Sequence, residues 1–141
     1  MTYEFAGARP VGYVADLDAV QAGAVLYFRK WCNGKAARAE IQSEFNTFFG
    51  EHKGSQIAAN FDLMCECFTN YARRTILYHR LNCECLGSDE ACLANFIWYA
   101  KNGDREDAML LAANLVRPDI ATLVVDLALN FALALKQMEL S

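Results

Sequence analysis

The residues best equipped for chemistry lie in one stretch, His79-Arg80-Leu81-Asn82-Cys83-Glu84-Cys85-Leu86-Gly87-Ser88-Asp89-Glu90-Ala91-Cys92. It carries three of the six cysteines and one of the two histidines. His79, Cys83, Cys85 and Cys92 supply an imidazole and three thiols, the ligand set of a tetrahedral Zn²⁺ site, and thiolates also suit Cu(I). The spacing departs from the usual structural zinc site, because C-x-C is tighter than the C-x2-C loop that wraps an ion. The first expectation is therefore no cofactor, with zinc at these four residues as the alternative. Cys83 and Cys85 also suit disulfide formation or exchange. Glu84, Asp89 and Glu90 disfavour a thiolate there, and only His79 and Arg80 favour one.

The remaining candidates are weaker. Cys65 and Cys67 fall mid-helix, where side chains two apart point about 160° away from each other. They flank an apolar stripe, and a small thiol is ordinary core filling there. His52 lies between Glu51 and Lys53 and is expected in solvent. His79, near the expected end of a long helix, suits a cationic capping role. A carboxylate-bridged di-iron bundle needs Glu three residues before His, and residues 49 and 76 are Phe and Ile. No dinucleotide, phosphate-loop, zincin or nucleophile-elbow motif occurs, so no catalytic residue and no enzymatic activity are expected.

These residues sit among elements with helical periodicity. Residues 1–15 carry Gly7, Pro10 and Gly12 without a period and are expected as an irregular arm. Helices are predicted near 17–32, 36–49, 56–79, 89–101, 105–116 and 118–138. Asp16 or Asp18 caps the first, whose buried face is Leu17, Val20, Ala24, Phe28 and Trp31. Asn33-Gly34 ends it. The second presents Ala37, Ile41, Phe45 and Phe48. The third follows a loop at residues 51–54 and a Ser55 cap, with a stripe of Ile57, Phe61, Met64, Phe68 and Tyr71 continued by Tyr78. Ser88 caps the fourth, with Asp89 and Glu90 set against the helix dipole. Asn102-Gly103 and Asp104 punctuate the next boundary, and Pro118 opens the last helix.

The last helix is apolar around most of its circumference. Asp119, Asp126, Asn130 and Gln137 share a stripe about 40° wide, with Thr122 at its edge. Such a helix must be almost surrounded, by its own domain or by a second subunit. The apolar run from Ile120 to Leu135 contains Asp126 and Asn130 and is short for a membrane span. Asp126 is expected on the solvent edge.

The whole predicts an all-α fold: a single-domain bundle over residues 1–141 of about six helices, with an irregular N-terminal arm and a very apolar C-terminal helix. The chain is long enough to bury roughly two-thirds of its unfolded surface. Apolar residues make up 55% of it, which argues against disorder. A net charge of −4 argues against nucleic acid as the partner. The start Met-Thr-Tyr-Glu-Phe lacks the pattern of a secretory signal, so the expected location is cytoplasmic, with reduced cysteines. Three functions compete. The leading one is a homo-oligomeric interaction or regulatory module, a homodimer through the C-terminal helix, with no membrane or nucleic-acid partner. The second is a metal- or redox-responsive module using the Cys83/Cys85/Cys92 cluster. The third is a small-molecule binding bundle with its pocket among Trp31, Phe45, Phe68, Trp98 and Tyr99.

Overall fold

A computed structural model describes residues 6–139. Six helices pack around one apolar core, with a small two-stranded sheet at one end: β1 (Pro10–Tyr13), α1 (Ala19–Trp31), α2 (Lys35–Phe49), α3 (Glu51–Asn70), β2 (Cys85–Gly87), α4 (Ser88–Lys101), α5 (Arg105–Leu115) and α6 (Ala121–Glu139). The all-α bundle is as the periodicity predicts. Residues 1–5 of the expected arm lie outside the described residues.

Local chemistry sets several boundaries. Asp18, not Asp16, caps α1: its carboxylate accepts from the Gln21 N–H at 2.7 Å, and the Gln21 side chain accepts from the Asp18 N–H at 3.2 Å. This closes a reciprocal capping box. The turn between α2 and α3 is tighter than predicted. Gly50 alone separates them, in the left-handed region at φ 89° where a Cβ would be strained. Residues 51–54 therefore belong to α3, and His52 lies on that helix instead of in a loop.

The other end of α3 is also corrected. It stops at Asn70 rather than running to residue 79. The Arg73 N–H donates to Leu115 O at 3.2 Å, and the Arg117 N–H donates to Tyr71 O at 2.9 Å. These cross-chain bonds take groups that a continuing helix would use. Residues 71–84 form an irregular segment instead. The arm pairs with the chain that follows: β1 runs antiparallel to β2, with Tyr13 opposite Cys85 and Gly12 opposite Leu86. Strands of four and three residues are too short to show alternation.

α6 packs on α1, α3, α4 and α5, which accounts for its apolar character. Phe131 stacks on Phe61 at 4.4 Å between ring centroids, and Tyr27 and Phe45 complete that cluster. Each buried aromatic of this kind contributes on the order of 2–3 kcal/mol of apolar transfer. Asp126 lies on the exposed edge as expected, ion-paired to Arg105 at 2.9 Å. That edge also carries Leu123, Leu129 and Leu133, which are 42%, 37% and 47% exposed. By length and composition α6 is apolar enough to cross a membrane, and half of its most apolar window is buried inside the protein.

The close approach of α2 and α3 gives a test. A Cβ on Gly54 would lie 2.5 Å from the backbone nitrogen of Asn46, whereas one on Gly23 in α1 would meet only Leu135 methyls at 3.6 Å. Both glycines are helical, so alanine's propensity favours both substitutions by about 0.5–1 kcal/mol. Urea titration should show Gly23→Ala neutral or stabilising and Gly54→Ala destabilising by about 1–3 kcal/mol.

Candidate functional site

One buried side chain organises the region predicted to carry chemistry. Arg29 sits on α1 next to Phe28 and is 1% exposed. A guanidinium has five N–H donors, and Arg29 uses all of them. Its Nε donates to Glu90 Oε2 at 2.6 Å and its Nη2 to Glu90 Oε1 at 2.9 Å. The other three reach the carbonyls of Arg80 at 3.1 Å, Cys83 at 2.8 Å and Cys85 at 2.8 Å. The loop 80–85 is thus wrapped around a single cation.

Glu90 is equally saturated. Besides Arg29 it accepts the backbone N–H groups of Gly87 at 3.0 Å and His79 at 3.2 Å. Burial alone would push its carboxyl up. The Arg29 hydrogen bonds, those two N–H groups and the Arg29 charge outweigh burial and hold it below the ordinary carboxylate value. Beside it, Asp89 is also 1% exposed. Its Oδ2 accepts from the Leu77 N–H at 2.8 Å, and both oxygens take the Arg74 guanidinium. The sequence reading set Asp89 and Glu90 against the helix dipole. They do occupy the first turn of α4, but as buried anions that pin residues 74–87 to it.

That framework fixes His79 and Cys83. The imidazole lies against Gly87, where an added Cβ would sit 2.9 Å from the ring. Its Nε2 is 2.8 Å from Ala8 O. A carbonyl only accepts, so Nε2 is the donor, and in the neutral tautomer this leaves Nδ1 as an acceptor. Nδ1 faces Cys83 Sγ at 3.5 Å, the arrangement of a thiol with a base oriented by a third group. Cys83 also lines a surface cavity of about 500 Å³ with Tyr13, Val14, Ala15, Asp16, Leu81, Asn82 and Glu84.

Of the four predicted metal ligands, the structure brings His79 and Cys83 together. Cys85 and Cys92 are half-buried elsewhere: Cys85 on β2, and Cys92 on α4 beside Asp89 and Arg74. Among the described residues no three His, Cys, Asp or Glu side chains are grouped to hold a metal ion. Cys65 and Cys67 are buried in α3, as expected. Burial pushes the Cys65, Cys67 and Cys92 thiols up, and pushes Cys32 up to about 11. Of the predicted aromatic pocket, Trp31 and Phe68 line a cavity of about 480 Å³. Phe45 is fully buried in the core, and Trp98 and Tyr99 pack on each other away from that cavity.

Arg29 escaped the sequence reading. Its signal was present: a charge one residue after Phe28 and four after Val25, both buried, with no free neighbour of opposite sign on its own helix face. No protein family, no curated protein and no solved structure matches the chain.

The buried pair predicts an acid response. Glu90's carboxyl is lower in the folded chain than its ordinary value of 4.5, so its contribution is fully present above about pH 4.5 and lost as pH falls through the folded value. Glu90→Gln should cost about 3–5 kcal/mol at pH 7, because it leaves Arg29 buried without a counter-charge. Urea unfolding from pH 7 to pH 3 should also give the variant a shallower loss of stability below about pH 4.5. Equal slopes for variant and parent would contradict the pairing.

Proposed function

We propose that the protein is a thiol-responsive regulatory module, with Cys83 as the responsive thiol and His79 as its base. The observation that carries this reading is the Cys83 Sγ to His79 Nδ1 contact of 3.5 Å, with Nε2 anchored on Ala8 O. The Cys83 S–H proton passes to Nδ1. The thiolate attacks one sulfur of a small disulfide, forming a Cys83–S–S–R bond as the original S–S bond breaks. The departing thiolate takes the proton from Nδ1 and leaves as a thiol. The cavity beside Cys83 leaves room for the attached group. The consequence is local: a substituted sulfur no longer donates to Nδ1, and the Cys83 carbonyl is one of the acceptors around Arg29. The response therefore acts on the contact between the arm and the 79–87 loop.

Exchange with an aromatic disulfide, followed by peptide mass mapping, tests this reading. Cys83 should be labelled first, and His79→Asn should slow its labelling by about tenfold or more while the far-ultraviolet circular dichroism stays unchanged. Labelling of Cys83 no faster than Cys85, or a rate indifferent to His79, would overturn the assignment.

A second reading, self-association through α6, is favoured by the exposed leucines 123, 129 and 133 on one edge of that helix. Light scattering should then report a dimer at about 10 μM that Leu129→Glu with Leu133→Glu converts to monomer. A monomeric parent chain would end that reading.

A further inference from the structure

The cavity of about 480 Å³ is lined by neither Cys83 nor His79 and plays no part in the proposed thiol chemistry. Four parts of the chain meet there: Trp31 and Cys32 at the end of α1, Arg38 on α2, Phe68 and Thr69 near the end of α3, and Ala72 to Tyr78 from the segment that follows. Its volume lies within the range of small-molecule sites.

Two features give the cavity a preferred ligand. The first is an apolar floor, to which Trp31, Phe68, Ile76 and Tyr78 contribute. Trp31 and Phe68 are buried, and the indole is held in place by its Nε1–H donating to Asp62 Oδ1 at 2.9 Å. The second is a positioned guanidinium. Arg38 lies 3.6 Å over the Trp31 ring, and its Nε donates to Trp31 O at 2.9 Å. Those contacts fix the plane of the guanidinium without using its terminal Nη groups. Among the described residues Arg38 enters no ion pair, whereas the cavity's other cation, Arg74, is occupied by Asp89. A fixed Arg fork matches a carboxylate in two parallel N–H···O bonds. A guanidinium is also more weakly hydrated than an ammonium. The Cys32 thiol in the floor, hydrogen-bonded to Tyr78, is raised by burial to about 11. It stays uncharged at neutral pH and does not repel an anion.

We infer that this cavity binds a small aromatic carboxylate, its ring against the apolar lining that Phe68, Ile76 and Tyr78 contribute and its carboxylate on the Nη groups of Arg38. The charge supplies orientation and the floor supplies apolar contact, so neither feature alone suffices. A neutral aromatic lacks a partner for Arg38, and an inorganic anion leaves the floor uncovered.

Benzoate is the probe, titrated against the full chain carrying Trp98→Phe, so that Trp31 is the one indole. Trp98 lies away from the cavity. The Trp31 indole N–H resonance should shift saturably with a Kd of about 1 mM or tighter. Arg38→Met should weaken binding by about tenfold or more, and Arg38→Lys, which keeps the charge but loses the fork, should weaken it measurably. Benzyl alcohol and inorganic phosphate should bind at least about tenfold more weakly than benzoate. No saturable shift up to about 10 mM benzoate, an Arg38→Met affinity equal to the parent's, or equal binding of benzyl alcohol would each overturn the assignment. Phosphate binding as tightly as benzoate would reduce the site to an adventitious ion only.

Discussion

A guanidinium buried to 1% exposure is tolerable only where every N–H finds an acceptor, and Arg29 meets that condition through one carboxylate and three carbonyls. Taking such a charge out of water costs several kcal/mol per ion before any pairing. The repayment comes from groups far apart in sequence: Glu90 on α4 and the carbonyls of Arg80, Cys83 and Cys85. Glu90 is placed by α4 and Cys85 by β2, whereas Arg80 and Cys83 lie in irregular chain. The 71–84 segment has neither helix nor strand, and beyond its backbone bonds to Val14, Leu115 and Arg117 it is Arg29, Asp89 and Glu90 that satisfy it. A buried pair of this kind is weak evidence for net stability, although breaking it by removing one partner is costly. It selects one path for a segment that propensity leaves undetermined.

The same dependence explains what the sequence could and could not convey. Helices with an apolar face and a capped start were legible from residues alone: a capping Asp16 or Asp18 was expected before α1 and Asp18 caps it, and the Ile57, Phe61, Met64, Phe68 stripe lies buried on α3. The end of α3 was not. Tyr71 and Tyr78 continue the stripe at helical spacing, and nothing in residues 71–79 by itself forbids a helix. The competing partners are remote. Leu115 takes the Arg73 N–H, Asp89 the Leu77 N–H and Glu90 the His79 N–H. Tertiary bonds overrode a local period, as propensity arguments permit. The turn at Gly50 was missed for a different reason. A single glycine with positive φ joins α2 and α3 without a loop, whereas the polar run Glu51-His52-Lys53-Gly54 has the composition of one.

At the candidate site, residue types were legible and roles were not. The imidazole and the cysteines were found, but their grouping was not, because grouping depends on how the loop wraps around Arg29. Gly87 illustrates the point. Sequence reading assigns it to a turn, and in the structure it gives the His79 ring room to lie over the backbone. Asp89 and Glu90 had the right place at the helix start and the wrong surroundings. A helix-dipole role is served by exposed carboxylates as well as buried ones, so the pattern carries no information about burial. Arg29 is the reciprocal case: once its burial is known, its partner must be an acid also buried, and among the described residues Asp89-Glu90 is the one acidic pair that is buried.

The irregular segment also joins the two proposed sites in one mechanical element. Its first part, Ala72 to Tyr78, walls the aromatic cavity, and its second, from His79, carries the thiol and its base. Between them, Leu77 and His79 are held by adjacent residues of the first turn of α4. Arg74, on the cavity wall, takes the same Asp89 that holds Leu77. A displacement on either side must therefore stretch hydrogen bonds to Asp89 or Glu90 or be absorbed within the two residues between them. Charge-assisted bonds resist stretching, and the two carboxylates concerned are buried away from water. The segment thus has few ways to move in part: it stays in place, or it leaves α4 together with the contacts of Arg29.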